Sequence, residues 1–318
     1  MSATRRAVID VGTNSVKLLV ADVQGRDIQP VCEESKQTRL GQGFYETHQL
    51  LPEAIANTAK AVATFVAQAQ ANQARQIRVV ATSAARDAVN AGELIAAIER
   101  ASGHRPEIIS GEQEADWAFQ GVTTDPALAH IPFLLLDVGG GSTEFILGHG
   151  TQKHFRQSFR LGTVRLLETI SHSDPPTQQE FAETRRWVRD FIEDKIRPVL
   201  AVALERETRL HSMQVPMALV GTGGSTTILA RMEAGLETYD RTVIEATRIS
   251  LDRVKWHAEN LWSLPLAQRE GIIGLPRKRA DVILTGTVIF EAVMEQFGFR
   301  ELRVSTRGLR FAAVMDAS

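Results

Sequence analysis

The 318-residue sequence holds a single cysteine, Cys32, so no disulfide framework is available and a reducing compartment suits the chain. An excess of charge of either sign is also missing: 36 Lys and Arg face 38 Asp and Glu, a formal net charge of −2. Without a global basic field the chain is not expected to bind nucleic acid, and any polyanion it holds must meet positive charge confined to a local site. No apolar run is long enough to span a bilayer, so no membrane partner is expected. Met1 to Arg6 leads into a strand without the apolar core of a secretory signal, which points to a cytoplasmic protein. The length suits two domains of ordinary size with ample core.

What is present is concentrated in one stretch, Leu134-Leu-Leu-Asp137-Val-Gly139-Gly140-Gly141-Ser142-Thr143-Glu144-Phe-Ile-Leu147. An apolar run ends in an aspartate, glycines follow, then Ser-Thr-Glu and a second apolar run. The pattern predicts a β-hairpin whose tip lets backbone come close to a ligand, since glycine alone permits both positive φ and such an approach. Amides and hydroxyls at such a tip form an electropositive seat for an anion, most naturally phosphate. Asp137 would repel phosphate directly, so its expected role is to hold a bridging divalent cation. Taken alone, a triple glycine is more simply a tight hairpin with a bulge.

A second copy removes that simpler reading. Ala7-Val-Ile-Asp10-Val-Gly12-Thr13-Asn14-Ser15-Val-Lys17-Leu-Leu-Val20 aligns Asp10 with Asp137, Gly12 with Gly139, Ser15 with Ser142 and Lys17 with Glu144. Internal repetition of this kind implies a duplicated lobe. The expectation is two facing hairpins that clamp a polyphosphate and its metal from both sides.

The rest of the chain is read around these hairpins. Ile28 to Lys36 predicts a third strand, followed by a polar loop from which Lys36 and Arg39 reach outward. Pro52 to Asn72 predicts a helix with Pro in its first turn. Ile77 to Thr82 predicts a strand feeding Ser83 as an N-cap, with Arg86 in the first helical turn, past a strand end where open α/β sheets place ligands. Ser110 and Gln113 have capping-box spacing, and Glu114 follows on a helix just before the linker, where a carboxylate can orient an attacking water. Gly121 to Ile131 is the expected boundary, dividing the chain into lobes 1–124 and 125–318, with the last helix packing back on the first lobe.

In the second lobe Thr177 to Leu210 predicts a long charged helical region. Gly221 to Thr227, between a strand and a helix starting near Ile228, offers a further anion site through Gly223, Gly224 and Ser225. It lacks the lysine of a Walker loop and the spacing of a dinucleotide fingerprint. Ser305 and Arg307 follow the last strand, again at a ligand-facing end.

Six motifs in order, AVIDVGTNSVKLLV, ATSAARDA, SGEQEADWAFQGV, LLLDVGGGSTEF, LVGTGGSTT and VSTRGLR, resemble the exopolyphosphatase and guanosine pentaphosphate phosphatase family across essentially the whole chain, in its short form. The resemblance implies an α/β fold of two RNase H-like lobes of the actin, sugar kinase and chaperone ATPase superfold, with a phosphate cleft. It implies a cytoplasmic phosphoanhydride hydrolase that uses Mg²⁺, or another divalent cation such as Mn²⁺, and is compatible with a homodimer. By motif, Glu114 matches the catalytic base, Asp137 and Glu144 the catalytic and metal carboxylates of the second hairpin, and Asp10 the metal carboxylate of the first. Thr13, Asn14, Ser15, Lys17 and Arg86 match phosphate contacts of the first lobe; Gly139, Gly140, Gly141, Ser142, Thr143, Gly223, Gly224 and Ser225 match those of the second. Thr13 and Lys17 stand where Ser and Arg are common, Gln113 where an acid is frequent, and Thr306 where the family has Asp.

The favoured activity is processive removal of the terminal phosphate of inorganic polyphosphate, because short chains of this type resemble exopolyphosphatases. Guanosine pentaphosphate, which presents the same terminal group, is the alternative. An ATP-dependent small-molecule kinase of the same superfold and a non-catalytic polyphosphate or alarmone sensor are the readings from other classes.

Overall fold

A computed structural model describes residues 3–211 and 216–316; Met1 and Ser2, which open the sequence, lie outside them. The chain divides into two units, residues 1–125 with 307–318, and residues 126–306.

In the first unit, β1 (Thr4–Val11), β2 (Ser15–Gln24), β3 (Asp27–Gln37), β4 (Gln76–Ala81) and β5 (Glu107–Ile108) form a sheet of order β3-β2-β1-β4-β5. The first three strands are a meander, and β4 and β5 add in parallel. Both sheet faces are covered, so β1 and β2 read as nearly continuous apolar runs. One face packs on the helix Pro52–Ala71, whose Ile55, Ala59, Val62, Phe65, Val66 and Ala69 recur at helical spacing and are all buried. The other face meets Trp117 and the C-terminal helix Leu309–Met315. Phe311 there is 1% exposed, and burying such a ring contributes about 1.5–3 kcal/mol.

In the second unit, β6 (Phe133–Val138), β7 (Thr143–His149), β8 (Gln152–Phe159), β9 (Ala218–Thr222), β10 (Arg248–Ser250) and β11 (Glu301–Val304) form a sheet of order β10-β11-β9-β6-β7-β8. Leaving out β10, its strand order and directions repeat those of the first unit: an antiparallel meander, then two parallel additions. The duplication expected from the two aspartate-glycine stretches is thus a duplication of topology. The helix Ile283–Phe297 runs through this core, buried from Ile283 to Met294, and the Trp262 indole donates to its Leu284 carbonyl at 3.1 Å.

Several local expectations are corrected. Ser83 is the first residue of a short helix, Ser83–Asp87, with Thr82 at the N-cap position and Arg86 in its last turn. The helix carrying Glu114 runs from Gly111 through Val122, past the expected start of the linker. The charged helical region expected over Thr177 to Leu210 is present, as Gln178–Phe191 and Arg197–His211 joined by a π-helical turn, Ile192–Ile196. The helix expected near Ile228 begins at Gly223, so the glycine stretch is its first turn and not a preceding loop.

Candidate active site

The tip of the first hairpin is built from β1 and β2. Asp10 pairs across the ladder with Lys17, and the turn is closed by the Gly12 amide donating to the Ser15 carbonyl at 3.0 Å. The segment after β3 then returns to this turn. The Gly41 amide donates to the Thr13 carbonyl at 2.8 Å, and the Thr38 and Arg39 amides both donate to the Asn14 carbonyl, at 3.1 and 3.0 Å. In a trans peptide the C=O and the following N–H point in opposite directions. Tying down the carbonyls of Thr13 and Asn14 therefore turns the amides of Asn14 and Ser15 the other way, which makes a nest for an anion.

This approach is tight: a Cβ on Gly41 would meet Thr13 Cγ2 at 2.4 Å. Arg39 takes a left-handed φ of 51° to make it. Thr13, Asn14 and Ser15 are buried, and Asn14 Nδ2 is a buried donor with no hydrogen-bond partner, while its Oδ1 accepts from Gln37 at 2.9 Å.

Asp10 is a second buried group lacking a partner, through Oδ1. Burial pushes its carboxyl above the usual carboxylate range, against the opposing pull of Lys17 and Arg310. Arg310 is anchored beside it by Nη1 donating to the Leu18 carbonyl at 2.6 Å.

Glu114 sits in the first turn of its helix, whose N-cap Ser110 accepts from the Gln113 amide at 3.1 Å. Arg86 Nη1 donates both to Glu114 Oε2 at 3.1 Å and to the Ile109 carbonyl at 2.9 Å. Arg86, expected as a phosphate contact, is thus tied to the Glu114 carboxylate and to the backbone just before that helix. Gly121, further along this helix, admits the C-terminal segment: a Cβ there would stand 2.2 Å from the Gly308 carbonyl oxygen. Arg307, which opens that segment, donates from Nη1 to the Thr124 carbonyl at 3.2 Å and lies over the Phe311 ring.

The second hairpin repeats the first. Asp137 pairs with Glu144 at the ladder position of Asp10 and Lys17, and the Gly139 amide closes the turn on the Ser142 carbonyl at 2.9 Å. Again a later segment returns: Thr163 donates to the Gly139 carbonyl at 3.0 Å, Val164 and Arg165 to that of Gly140 at 2.8 and 3.0 Å. Arg165 Nε donates to the Gly141 carbonyl at 2.8 Å. With three successive carbonyls held, the amides of Gly140, Gly141 and Ser142 all face the opposite side.

The side chains at this tip are partly spoken for. Glu144 is 1% exposed, and its Oε1 accepts from the hydroxyls of Ser142 at 2.8 Å and Ser158 at 2.6 Å, as a buried carboxylate requires. The Thr143 hydroxyl donates to the Leu161 carbonyl. Anion-binding capacity at this hairpin therefore rests on the backbone more than on the hydroxyls.

Beside it, β9 runs into the helix Gly223–Glu233. Gly223 has φ +90°, and a Cβ there would lie 2.6 Å from Asp137 Oδ1, so only glycine lets this helix start against the hairpin aspartate. The guanidinium of Arg279 lies over Gly224, with Nη2 3.7 Å from where its Cβ would be. Ser225 is buried against Gly286 of the long core helix. This helix start combines a dipole with a cation and offers a second anion seat in the same unit.

Sequence reasoning passed over Arg165, Ser158, Arg279 and Arg310. Arg310 lies three residues beyond Arg307 in the terminal motif, and Arg279 closes the basic run Arg277-Lys278-Arg279. Ser158 and Arg165 gave no signal, because their partners come from another part of the chain.

Among the described residues no group of three or more His, Cys, Asp or Glu side chains gathers as a protein-only metal site would need. A hard cation such as Mg²⁺ asks for less, commonly one or two carboxylates with water and substrate phosphate oxygens. The buried Asp10 Oδ1, which has no hydrogen-bond partner, and Asp137 set across from Glu144, fit such a cation. No helix of the described chain is long and apolar enough to cross a membrane.

Comparison with known proteins places these features. The model of the Ppx/GppA phosphatase family matches residues 19–317. The chain is 35% identical to exopolyphosphatase 2 of Mycobacterium tuberculosis over 322 aligned positions, covering 96% of each. Among solved structures it resembles the Aquifex aeolicus PPX-GPPA enzyme at 28% identity and a TM-score of 0.77, covering 98% of this chain and 99% of the other. It also resembles an exopolyphosphatase from Cytophaga hutchinsonii at 26% identity and a TM-score of 0.82, covering 97% and 96%. Matching motifs, duplicated α/β topology and near-complete coverage lead to one conclusion: the chain belongs to the Ppx/GppA phosphatase family, hydrolases of phosphoanhydride bonds, with the actin and sugar kinase type of fold.

Proposed function

We propose that this chain is an exopolyphosphatase that removes the terminal phosphate of inorganic polyphosphate processively, in the cytoplasm. The observation that carries the reading is the repeated arrangement of hairpin carbonyls tied back and amides turned out, once in each unit. Such seats suit a substrate that is phosphate along its whole length and offers little else to recognise. The Mycobacterium tuberculosis relative, itself named an exopolyphosphatase, supports the same choice.

Phosphoryl transfer needs positioning and charge neutralisation more than covalent chemistry from the protein. In this reading Glu114, its carboxylate oriented by Arg86, positions the attacking water and takes its proton. The amides of Asn14, Ser15, Gly140, Gly141 and Ser142 bind phosphate oxygens, with Lys17, Gly223 to Ser225 and Arg307 adding to them. Asp10 in the first unit, and Asp137 with Glu144 in the second, are the carboxylates that would hold a divalent cation, Mg²⁺ or Mn²⁺, which would supply neutralisation of phosphate charge.

The family match leaves guanosine pentaphosphate as the second reading, since its 5′ end presents the same terminal group. A side-by-side phosphate-release assay with long polyphosphate, tripolyphosphate, guanosine pentaphosphate and ATP decides. The expected order puts long polyphosphate first, with activity dependent on divalent cation. Preference for pentaphosphate, ATP use coupled to an acceptor, or tight binding without turnover would each overturn it.

A further inference from the structure

Arg165 holds the second hairpin twice. Its amide donates to the Gly140 carbonyl at 3.0 Å and its side-chain Nε to the Gly141 carbonyl at 2.8 Å. Of the three carbonyls held at this tip, those of Gly139 and Gly140 are tied by backbone amides, whereas a side chain ties that of Gly141. The clasp is pressed close: a Cβ on Gly162 would stand 2.5 Å from the Gly140 carbonyl oxygen. At the first hairpin backbone amides hold the carbonyls of Thr13 and Asn14, and among them that of Arg39 answers to Arg165 as the second of two successive donors to one carbonyl.

We propose that Arg165 is a positioning residue whose Nε fixes the Gly141–Ser142 peptide plane, so that the Ser142 amide faces the phosphate chain. Glycine places little restraint on ψ, so without this bond the plane is free to turn and present its carbonyl, a repulsive dipole, to the anion. The proposal rests on the polyphosphate reading for its ligand, but not for its geometry. It assigns Arg165 a role through the donor at its ε position, not through its charge.

Three substitutions separate donor from charge. Arg165→Gln places an amide nitrogen as many bonds from Cα as Nε and carries no charge. Arg165→Lys keeps the charge but has carbon at that position. Arg165→Met removes both at similar length. Arg165→Met and Arg165→Lys are expected to lower kcat/KM for polyphosphate about tenfold or more, mainly through KM, the size of one lost hydrogen bond to a charged group. Arg165→Gln is expected within about threefold of the unsubstituted protein. Calorimetric titration with tripolyphosphate should show the same order without turnover, with thermal midpoints alike across the three.

A crystal structure of Arg165→Met should show the Gly141–Ser142 plane rotated, and one of Arg165→Gln should show it in place. Wild-type-like behaviour of Arg165→Met, or rescue by Lys and not by Gln, overturns the proposal. If the unsubstituted protein fails to cleave polyphosphate, the functional reading falls, and the two peptide-plane orientations still decide the role of Arg165.

Discussion

Arg86 and Glu114 form an ion pair in the first unit, Nη1 to Oε2 at 3.1 Å, with side chains 23% and 13% exposed. The same nitrogen binds the Ile109 carbonyl, so the guanidinium is fixed by the backbone before it meets the carboxylate. Arg86→Met should lower kcat about 10- to 100-fold, a range set by the loss of one orienting charged hydrogen bond. Stability should fall by only about 1 kcal/mol, because the pair is partly solvated. Phosphate release and denaturant midpoints measured on Arg86→Met, Glu114→Gln and the double variant check this. The double variant should be no less active than Glu114→Gln alone.

Asp10 gives a pH and metal prediction. Its carboxyl lies above the usual range because burial disfavours the charge, so the native state binds that proton more tightly than the unfolded chain. Ionising it then costs stability as pH rises from the ordinary carboxylate value, near about 4, through the raised one. Asp10→Asn should therefore be more stable than the unsubstituted protein at neutral pH without divalent cation, by on the order of 1 kcal/mol, and equal to it in acid. Added Mg²⁺ should raise the thermal midpoint of the unsubstituted protein and leave that of Asp10→Asn unmoved, while phosphate release by the variant is lost.

Glycine at 223 is a site requirement, whereas glycine at 235 is a local one. Gly223→Ala drives a Cβ to 2.6 Å from Asp137 Oδ1 at a φ of +90°, so it should abolish most activity as well as destabilise. Gly235→Ala has a φ of +63° with nothing within 4 Å, and should cost about 1 kcal/mol of stability with activity intact. Thermal melts and phosphate release on the two variants make the comparison.

Thr306 is matched to Glu245. The Glu245 carboxylate accepts from the Thr306 hydroxyl and, at 3.3 Å, from its amide. Thr306→Asp, which restores the residue common in the family, would set two carboxylates together. It should lose about 1–2 kcal/mol at neutral pH, recover in acid as the pair takes up a proton, and recover at all pH with Glu245→Gln alongside it. An unchanged midpoint at neutral pH would show that the carboxylates move apart.

The duplicated plan was legible because it lives in short-range patterns. Asp10-Val-Gly12 and Asp137-Val-Gly139, each between apolar runs, specify a strand, a tight turn and a returning strand by local sterics alone. The last strand, Glu301–Val304, and the Ser110 cap were readable for the same reason. The glycine stretch at 221–227 misled because two glycines argue against helix locally, yet Gly223, with a φ of +90° and a would-be Cβ 2.6 Å from Asp137 Oδ1, is what lets a helix begin against the hairpin.

What the sequence by itself determined is the family chemistry: which carboxylates, glycines and hydroxyls exist, and that they come in two sets. Tertiary structure alone decided their duties. Arg86 turns to Glu114, Ser142 and Ser158 turn to Glu144, and the segments at 38–41 and 163–165 tie back the hairpin carbonyls. These bonds join residues up to 28 positions apart, and a buried polar group takes whichever partner the packed chain brings within reach.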